Sequence, residues 1–236
     1  MKYGKICKAE YIERPNRFVA VVRLPEGDTV RVHVKNTGRC RELLVPGAEV
    51  ILEDFEGRMG KRKMRYSLIA VYKDDLLINM DSQAPNAAVR EMLTEGSPKL
   101  PGLDYPLKVI RPETVYGDSR LDFYAEDAEG RRALIEVKGV TLEDKGTVRF
   151  PDAPTERGRK HLNELVRAAA EGYAAYAVFI VQMERAEQFE PNRMTDPDFA
   201  EALERAGDAG VKILVYTCSV REDEMTVSGS LPFVLR

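Results

Sequence analysis

The chain of 236 residues is long enough for one large domain or two small ones, and for a sizeable hydrophobic core. Its composition, with 44% hydrophobic and 32% charged residues, 17 glycines and 13 prolines, excludes a collagen-like, a low-complexity or a wholly disordered protein. The net charge of −3 is divided unevenly, because residues 1–106 carry +3 and residues 107–236 carry −6. This asymmetry favours two units with different surfaces.

The cysteines and the amino-terminal segment indicate the compartment. Cys7, Cys40 and Cys218 lie far apart and form no C-x-x-C pair, which argues against a disulfide framework or a zinc site and favours a reducing compartment. The first 17 residues mix Lys, Arg and Glu and lack the apolar core of a secretory signal. The longest apolar run, residues 174–181, is far shorter than the roughly 20 residues of a membrane helix. We therefore predict a cytoplasmic protein that does not interact with a membrane.

The first 80 residues have the pattern of a small barrel. Five short segments, each β-branched or alternating, are separated by turn-forming residues such as those at 25–28 and 46–47. Five strands in this length favour a partly open, five-stranded barrel of the OB type, and an SH3-like barrel is the alternative that the pattern leaves open. The predicted strands are residues 17–24, 29–35, 48–54, 64–73 and 76–80.

A basic loop joins the third and fourth predicted strands. Residues 58–65, called the basic loop below, contain five cations and no acidic residue, and residues 1–65 together carry +6. A positively charged groove on an OB surface is a recurrent platform for nucleic acid. We therefore predict that Lys61, Arg62, Lys63 and Arg65 contact phosphates, while a solvated hairpin tip is the simpler alternative.

A second candidate contact is the 36–39 segment, which consists of Asn36, Thr37, Gly38 and Arg39. Asn and Gly tolerate the positive φ of a turn, and the backbone N–H groups of such a turn can cradle an anion. Arg39 adds a cation that could contact a phosphate. The segment is a weak signal by itself, because a turn of this composition needs no function.

The second half has the pattern of an α/β layer fold, in which three strands are followed by alternating helices and strands. A short helix is predicted over residues 84–95 with a stop at Gly96, and residues 96–106 have the composition of a linker. We place the domains at residues 1–82 and 83–236. Two further helices are predicted at residues 155–172 and 196–210, and two buried strands at residues 174–183 and 211–217.

Two predicted strands, residues 119–124 and 133–138, form a hairpin whose turn is centred on Glu129. If the turn is symmetric, Asp122 lies opposite Glu136 on one face of the hairpin. Facing carboxylates repel each other unless a cation neutralises them. Mg²⁺ binds proteins through one or two carboxylates, waters and substrate phosphates, so the pair predicts a site for Mg²⁺ or Mn²⁺.

Lys138 lies on the same face as Glu136 and could orient an attacking water or stabilise charge on phosphorus. Asp122, Glu136 and Lys138 are therefore the candidate catalytic residues for hydrolysis of a phosphodiester. Glu113, on the preceding strand, is a further candidate metal ligand. The simpler alternative is an exposed hairpin face with alternating charges.

Three more residues near the hairpin are candidate contacts to DNA. Arg120 lies two residues before Asp122, and Arg157 and His161 share one side of the following helix at i, i+4 spacing. All three could contact phosphates. A plain exposed helix face is the alternative for Arg157 and His161.

Several segments occur in a characteristic order and spacing. They are residues 36–39 with 46–47, residues 116–123 (YGDSRLDF), residues 136–142 (EVKGVTL), residues 150–153 (FPDA), residues 155–158 (TERG) and residues 161–165 (HLNEL). Through them the chain resembles the sugar fermentation stimulation protein family over nearly its whole length. The resemblance implies an OB-like N-terminal domain and a C-terminal domain similar to the PD-(D/E)XK nucleases, in a DNA-binding group linked to regulation of sugar utilisation. It also implies that the nuclease motif maps onto Asp122, Glu136 and Lys138.

Two functional hypotheses follow. In the first, a DNA-binding protein hydrolyses phosphodiesters with Mg²⁺ or Mn²⁺ at Asp122 and Glu136, assisted by Lys138. In the second, a transcriptional regulator binds DNA on a nuclease scaffold without catalysis. Oligosaccharide binding by the OB domain is less favoured, because the chain has no Trp for stacking on sugars. DNA is the expected partner, and the sequence leaves homodimer formation open.

Overall fold

The computed structural model describes residues 1–36 and 38–235, and within them it contains two six-stranded sheets, a three-stranded sheet and three helices. The first six-stranded sheet comprises β1 (Ile6–Asn16), β2 (Val19–Arg23), β3 (Thr29–Val34), β4 (Glu49–Asp54), β5 (Tyr66–Lys73) and β6 (Leu76–Asn79). The second comprises β7 (Val109–Tyr116), β8 (Ser119–Glu126), β9 (Arg132–Val140), β12 (Ala174–Val181), β14 (Lys212–Arg221) and β15 (Glu224–Ser230). The small sheet comprises β10 (Leu142–Asp144), β11 (Thr147–Phe150) and β13 (Gln188–Pro191), and the helices are α1 (Ala84–Glu95), α2 (Glu156–Ala170) and α3 (Pro197–Asp208).

The first sheet closes into the predicted OB barrel. Its strands follow the order β3-β2-β1-β4-β5, and a parallel pairing of His33 in β3 with Ser67 in β5 closes the ring. Fully buried side chains such as Val22, Val32 and Leu52 belong to the core of the barrel. Closure removes the unpaired strand edges that an open sheet of this size would expose.

The set of strands in the barrel differs from the sequence prediction. The pattern of the sequence does not predict β1, which pairs with both β2 and β4, and β6 pairs with β5 outside the closed ring. In β1, buried Ala9 and Tyr11 alternate with exposed Lys8 and Glu10. The strand is hard to recognise because a small residue and charged residues replace the β-branched run that signals the other strands.

The second sheet has helices on both faces. Its order is β15-β14-β12-β9-β8-β7, with β9, β12 and β14 parallel to one another. One face packs with α2 and α3, where Leu134 and Phe179 join Leu165 and Leu203 in one core. The other face packs with α1, where Ile135 and Val178 lie in a second core with helix residues. The sequence pattern does not predict β15 or the small sheet.

The predicted helix signals are confirmed by the caps. Gly96 has the left-handed conformation that ends α1, the Thr155 side chain accepts the Gly158 N–H at the start of α2, and Asp196 accepts the Phe199 N–H at the start of α3. Within the described residues, none of these helices is long and apolar enough to cross a membrane.

The segment predicted to be a linker, residues 96–106, packs on the second sheet. Leu100 and Leu103 are buried in the same core as α1, and the Leu100 N–H donates to the Tyr105 hydroxyl. The chain therefore crosses from the barrel to the second unit before α1 begins.

Gln182 joins the barrel to the second unit. It follows β12, is 2% exposed, and its side-chain amide donates to the backbone oxygens of Asn79 and Asp81, each at 3.1 Å. The Asn79 N–H donates to the Gln182 backbone oxygen at 2.9 Å. Because these groups are buried and paired with each other, they hold the two units in one orientation.

Asp127 stabilises the turn between β8 and β9. Its fully buried carboxylate accepts hydrogen bonds from the backbone N–H groups of Asp104, Glu129 and Arg131 and from the Arg131 guanidinium. The hydrogen bond from the Asp104 N–H makes the largest contribution to the pKa of Asp127. Together with the hydrogen bonds and charge of Arg131 it outweighs burial, which would raise the pKa, and lowers it to about 2.

We expect Asp127→Asn to lower the thermal unfolding midpoint at neutral pH, since the charged acceptor is lost. A lowered pKa contributes stability that is present above the unfolded value of about 3.9 and is lost as the pH falls through the folded value. The difference in unfolding midpoint between Asp127→Asn and the unchanged protein should therefore shrink as the pH falls from about 4 to about 2, as measured by scanning calorimetry. Glu129→Gln in the same turn is the control and should show little change at any pH.

Candidate active site

The hairpin of β8 and β9 has the predicted register. Phe123 pairs with Ile135 and Tyr124 with Leu134, so Asp122 comes opposite Glu136 one step beyond the last paired residues. The ladder ends there, and the Asp122 Oδ2 accepts the backbone N–H of Val137 at 2.7 Å. The backbone of β9 thus orients the carboxylate of β8.

The carboxylate face of the hairpin is covered. Glu136 is 3% exposed under α2, while Asp122 and Lys138 are half-buried. The simpler alternative from the sequence, an exposed face with alternating charges, is therefore wrong. It fails because α2 packs on the same face as Glu136, which a strand pattern alone does not show.

Asp122 has a second donor, Asn86 in the first turn of α1. The Asn86 Nδ2 donates to the Asp122 Oδ1 at 2.7 Å. Burial and the nearby charge of Glu136 raise the pKa of Asp122, and the hydrogen bonds from Val137 and Asn86 offset part of that effect. The sequence analysis did not identify Asn86 as a site residue, because an Asn near the start of a helix is ordinarily explained by the preference of Asn for that position.

Glu136 is held by two groups on the same oxygen. Its Oε1 accepts from the Lys138 ammonium at 2.5 Å and from the His161 Nδ1. Burial alone would raise the pKa of Glu136, but the hydrogen bond from His161 and the ammonium of Lys138 outweigh it and hold the pKa below its usual value. Glu136 is therefore ionised at neutral pH.

His161 supports Glu136 from α2. It is 4% exposed, so the alternative of a plain exposed helix face does not apply to it, and its Nε2 accepts from the Arg157 Nε at 3.4 Å. Because Nε2 accepts from Arg157, the nitrogen that donates to Glu136 is Nδ1, and this assigns the ring N–H to Nδ1. Arg157 itself is exposed on the first turn of α2. The structure thus brings together Asp122, Glu136, Lys138 and His161, with Arg157 beside them.

The residues present fit a divalent cation. The second oxygen of Glu136, Oε2, is buried and has no hydrogen-bond partner among the described residues. An ionised oxygen in that state is costly unless a cation compensates it. The described residues contain no group of three or more His, Cys, Asp or Glu arranged around a metal position. Asp122 and Glu136 would therefore be the protein's share of the ligands, with waters and phosphate oxygens completing the shell, as Mg²⁺ prefers.

Glu113 and Arg120 lie on the outer part of the second sheet. Glu113 has a positive φ of 54° and is exposed, and its carboxylate pairs with the Arg120 Nε at 2.7 Å. The structure therefore brings these two predicted site residues to each other, and the carboxylate of Glu113 is directed to Arg120 rather than to Glu136.

The 36–39 segment docks on the loop that precedes α2. The Arg39 N–H donates to the Asp152 Oδ2 at 3.2 Å, and the Arg14 guanidinium donates to the backbone oxygens of Asn36, Gly38 and Arg39 at 2.6 to 3.0 Å. Thr37, a predicted contact, lies outside the described residues. Sequence reasoning missed Arg14, since a single Arg in a strand carries no signal for a role of this kind.

The basic loop lies along β3. Lys63 and Arg65 line one cleft with Glu26 and Asp28 of the hairpin that precedes β3, whereas Arg58 pairs with Glu53, whose carboxylate also lies 3.9 Å from the Lys35 ammonium just after β3. Three of its cations have partners within the barrel. Arg65 pairs with Asp54 at 2.7 Å, the Arg62 guanidinium lies 3.6 Å from the centre of the Phe55 ring, and Arg58 pairs with Glu53 at 3.5 Å. Lys61 and Lys63 are exposed and, within the described part of the chain, form no ion pair.

Fold and site together define a protein in which an OB barrel is joined to an α/β domain that carries a pair of carboxylates. The family model "SfsA N-terminal OB domain" matches residues 12–80, and the model "Sugar fermentation stimulation protein RE domain" matches residues 83–224. The chain belongs to the sugar fermentation stimulation protein family. The fold class predicted from the sequence is confirmed.

Relatives and a solved structure extend the match over the whole chain. The sugar fermentation stimulation protein homolog of Clostridium beijerinckii is 46% identical over 235 residues, covering 100% of both chains. The homolog of Desulfitobacterium hafniense strain DCB-2 is 49% identical over 227 residues, 95% of this chain and 94% of its own. The structure of Pyrococcus furiosus SfsA in complex with Ca²⁺ has a TM-score of 0.87 and 28% identity, covering 99% of this chain and 98% of that one.

We expect His161→Ala to destabilise the protein by about 1–3 kcal/mol, because a buried carboxylate oxygen loses a donor. His161→Asn keeps an N–H at the position of Nδ1 and should lose less. Guanidinium unfolding would measure both, with Asn163→Ala, exposed on the same helix, as the control, expected to change stability by less than about 0.5 kcal/mol. Equal losses in the Ala and Asn variants of His161 would contradict the hydrogen-bond assignment.

Proposed function

We propose that the protein binds DNA and hydrolyses phosphodiester bonds with a divalent cation, Mg²⁺ or Mn²⁺, held by Asp122 and Glu136. The observation that carries the proposal is the Glu136 Oε2, a buried oxygen of an ionised carboxylate that lacks a hydrogen-bond partner in the described structure. A cation in contact with this oxygen would offset the cost of burying it.

The surrounding residues are arranged for this chemistry. A bound divalent cation would polarise the phosphate and acidify a water molecule. Asn86 and the Val137 N–H fix the orientation of Asp122, and His161 occupies Oε1 of Glu136, which leaves Oε2 for the cation. The Lys138 ammonium, half-buried beside Glu136, is placed to orient the attacking water and to stabilise charge that develops on phosphorus.

The solved relative supports metal binding. Pyrococcus furiosus SfsA was solved in complex with Ca²⁺. Ca²⁺ and Mg²⁺ are both hard cations that select oxygen ligands, so a carboxylate pair suits either. We propose that the corresponding cation in this protein is Mg²⁺ or Mn²⁺.

DNA is the proposed substrate because the barrel is basic and exposed cations occur in both units. Residues 1–65 carry +6, Lys61 and Lys63 are exposed on the basic loop, and Arg157 is exposed beside the site. We propose that residues 1–82 position the nucleic acid and that residues 83–236 carry the chemistry. Phosphate contacts of this kind orient a nucleic acid without reading its sequence.

The first prediction from this proposal concerns cleavage. Asp122→Asn and Lys138→Ala should each lower the rate of metal-dependent cleavage of linear and plasmid DNA by at least about 100-fold, more than the loss of a supporting residue usually costs. Calorimetric titration with Mn²⁺ should separate their contributions, since Asp122→Asn loses the binding heat and Lys138→Ala keeps it.

Matched exposed residues provide the controls. Asp118→Asn, in the turn between β7 and β8, and Lys108→Ala, just before β7, should leave cleavage and Mn²⁺ binding unchanged. If no DNA is cut in Mg²⁺ or Mn²⁺ while gel-shift binding persists, catalysis is refuted and the protein is a non-catalytic DNA-binding regulator on a nuclease scaffold.

The second prediction concerns the basic loop. Because Arg62 and Arg65 have partners within the barrel, replacement of Lys61 and Lys63 alone with Ala should weaken DNA binding. The slope of log affinity against log salt concentration should become shallower by about 0.9 for each lost phosphate contact on duplex DNA. Replacement of exposed Lys99 and Lys108 in the second unit is the control. An unchanged slope would show that the basic loop does not contact the phosphates of the DNA.

A further inference from the structure

A cleft of about 330 Å³ lies between the barrel and the second unit, next to the candidate active site. Its floor is the end of β9 and the residues that follow, beginning at Gly139, which directly follows Lys138. The barrel contributes Asn36 and Gly38, and Ser82 contributes from the crossing between the units. The remaining wall is the loop before α2, including Phe150, Pro151, Asp152, Ala153 and Pro154.

The cleft adjoins the carboxylate site along β9, because Gly139 follows Lys138 in the strand. A Cβ at Gly139 would lie 2.3 Å from the Gln182 Oε1 and 2.8 Å from the Pro85 Cγ, so only a glycine lets Gln182 line the base of the cleft with Pro85 behind it. Pro85 is next to Asn86, which holds Asp122. Thr155, which lines the cleft, caps α2 two residues before Arg157 and six residues before His161.

The charges of the cleft are unsuited to a phosphate. Asp152 brings a carboxylate to its wall, and the one guanidinium among its lining residues, Arg149, pairs with Glu190 at 3.3 Å and lies 4.0 Å from Asp144. The other lining groups are neutral, and they combine apolar surface with a few amide and hydroxyl groups. A site of this size and composition at a domain boundary is typical for a small, largely neutral ligand.

From this arrangement, and on the basis of the proposed function, we propose that the cleft takes one unpaired nucleobase of the DNA strand whose phosphate lies at Asp122 and Glu136. A nucleobase is neutral and flat, and its polar edges can accept from the Asn36 Nδ2 and donate to the Ser82 and Thr141 hydroxyl oxygens. The Asn36 Oδ1 and the Ser82 hydroxyl hydrogen are already engaged, by the Gly38 N–H and the Lys35 backbone oxygen. A paired base must first leave the stack, which costs a few kcal/mol, whereas a base that is already unpaired does not carry this cost. The preferred substrate is therefore DNA with an unpaired nucleotide.

Three DNAs of otherwise identical sequence test the proposal: a paired duplex, the same duplex with one unpaired adenine, and that duplex with an abasic residue in place of the adenine. Affinities are measured by fluorescence anisotropy with the full chain. We expect the unpaired adenine to raise affinity about 10-fold over the paired duplex, and the abasic residue to abolish the gain, because only the base enters the cleft.

A protein variant tests the location. Ala153→Leu fills the cleft and should remove the 10-fold preference while leaving affinity for the paired duplex within about 2-fold. Ala128→Leu, exposed in the turn between β8 and β9, should retain the preference.

The outcomes separate this proposal from the proposed function. Equal affinity for all three DNAs, or an undiminished preference with the abasic DNA, overturns the nucleobase site while DNA binding stands. A preference that persists in Ala153→Leu shows that the base lies elsewhere and overturns the assignment of the nucleobase to the cleft. No binding to any of the DNAs overturns both the proposed function and the nucleobase site.

Discussion

The burial of one ionised carboxylate, Glu136, constrains the second unit more than any other interaction. A charge that is 3% exposed must be compensated, and the chain supplies two donors on one oxygen, Lys138 from the same strand and His161 from α2. This requirement sets the position of α2 over β9 and leaves the other oxygen without a partner. The stability of the sheet and the capacity for a cation therefore depend on the same side chain. The compensation is incomplete in the protein alone, in accord with the proposal that a cation binds here.

The barrel and the candidate active site are linked by short buried contacts rather than by a flexible segment. The Lys35 ammonium at the end of β3 pairs with Asp81 at 2.6 Å, and the same carboxylate accepts the Gln83 N–H at the start of α1. Asn86, one turn further along α1, donates to Asp122. Gln182, which follows β12, donates to the backbone oxygens of Asn79 and Asp81, where the chain passes from the barrel to the second unit. A nucleic acid held by the barrel would thus meet the carboxylates at a set distance. This explains why a cleft between the units has defined walls and why its base needs Gly139.

Some of the structure could be predicted because it depends on local rules. The caps of α1, α2 and α3 follow from Gly96, Thr155 and Asp196, and the hairpin register follows from one turn. β1 escaped prediction because its buried positions include a small residue flanked by charged ones, and β6 was assigned to the barrel because a strand pattern does not reveal its partners. The burial of His161 was equally out of reach, since a helix face with Arg157, His161 and Glu164 looks polar, and only the packing of α2 on β9 shows that its histidine meets a carboxylate.

The amino-acid sequence by itself determined a small β-barrel, the α/β second unit, the three helices and the pairing of Asp122 with Glu136, and its resemblance to the family specified the OB type. Turns, caps and strand alternation act over a few residues and can be recognised in one dimension. The tertiary structure decided which of the predicted groups meet: His161 and Asn86 join the carboxylates, Glu113 pairs with Arg120, and two arginines of the basic loop turn back to the barrel. Contacts between distant segments depend on how whole elements pack, and a carboxylate or guanidinium takes the nearest opposite charge or hydrogen-bond partner that this packing provides.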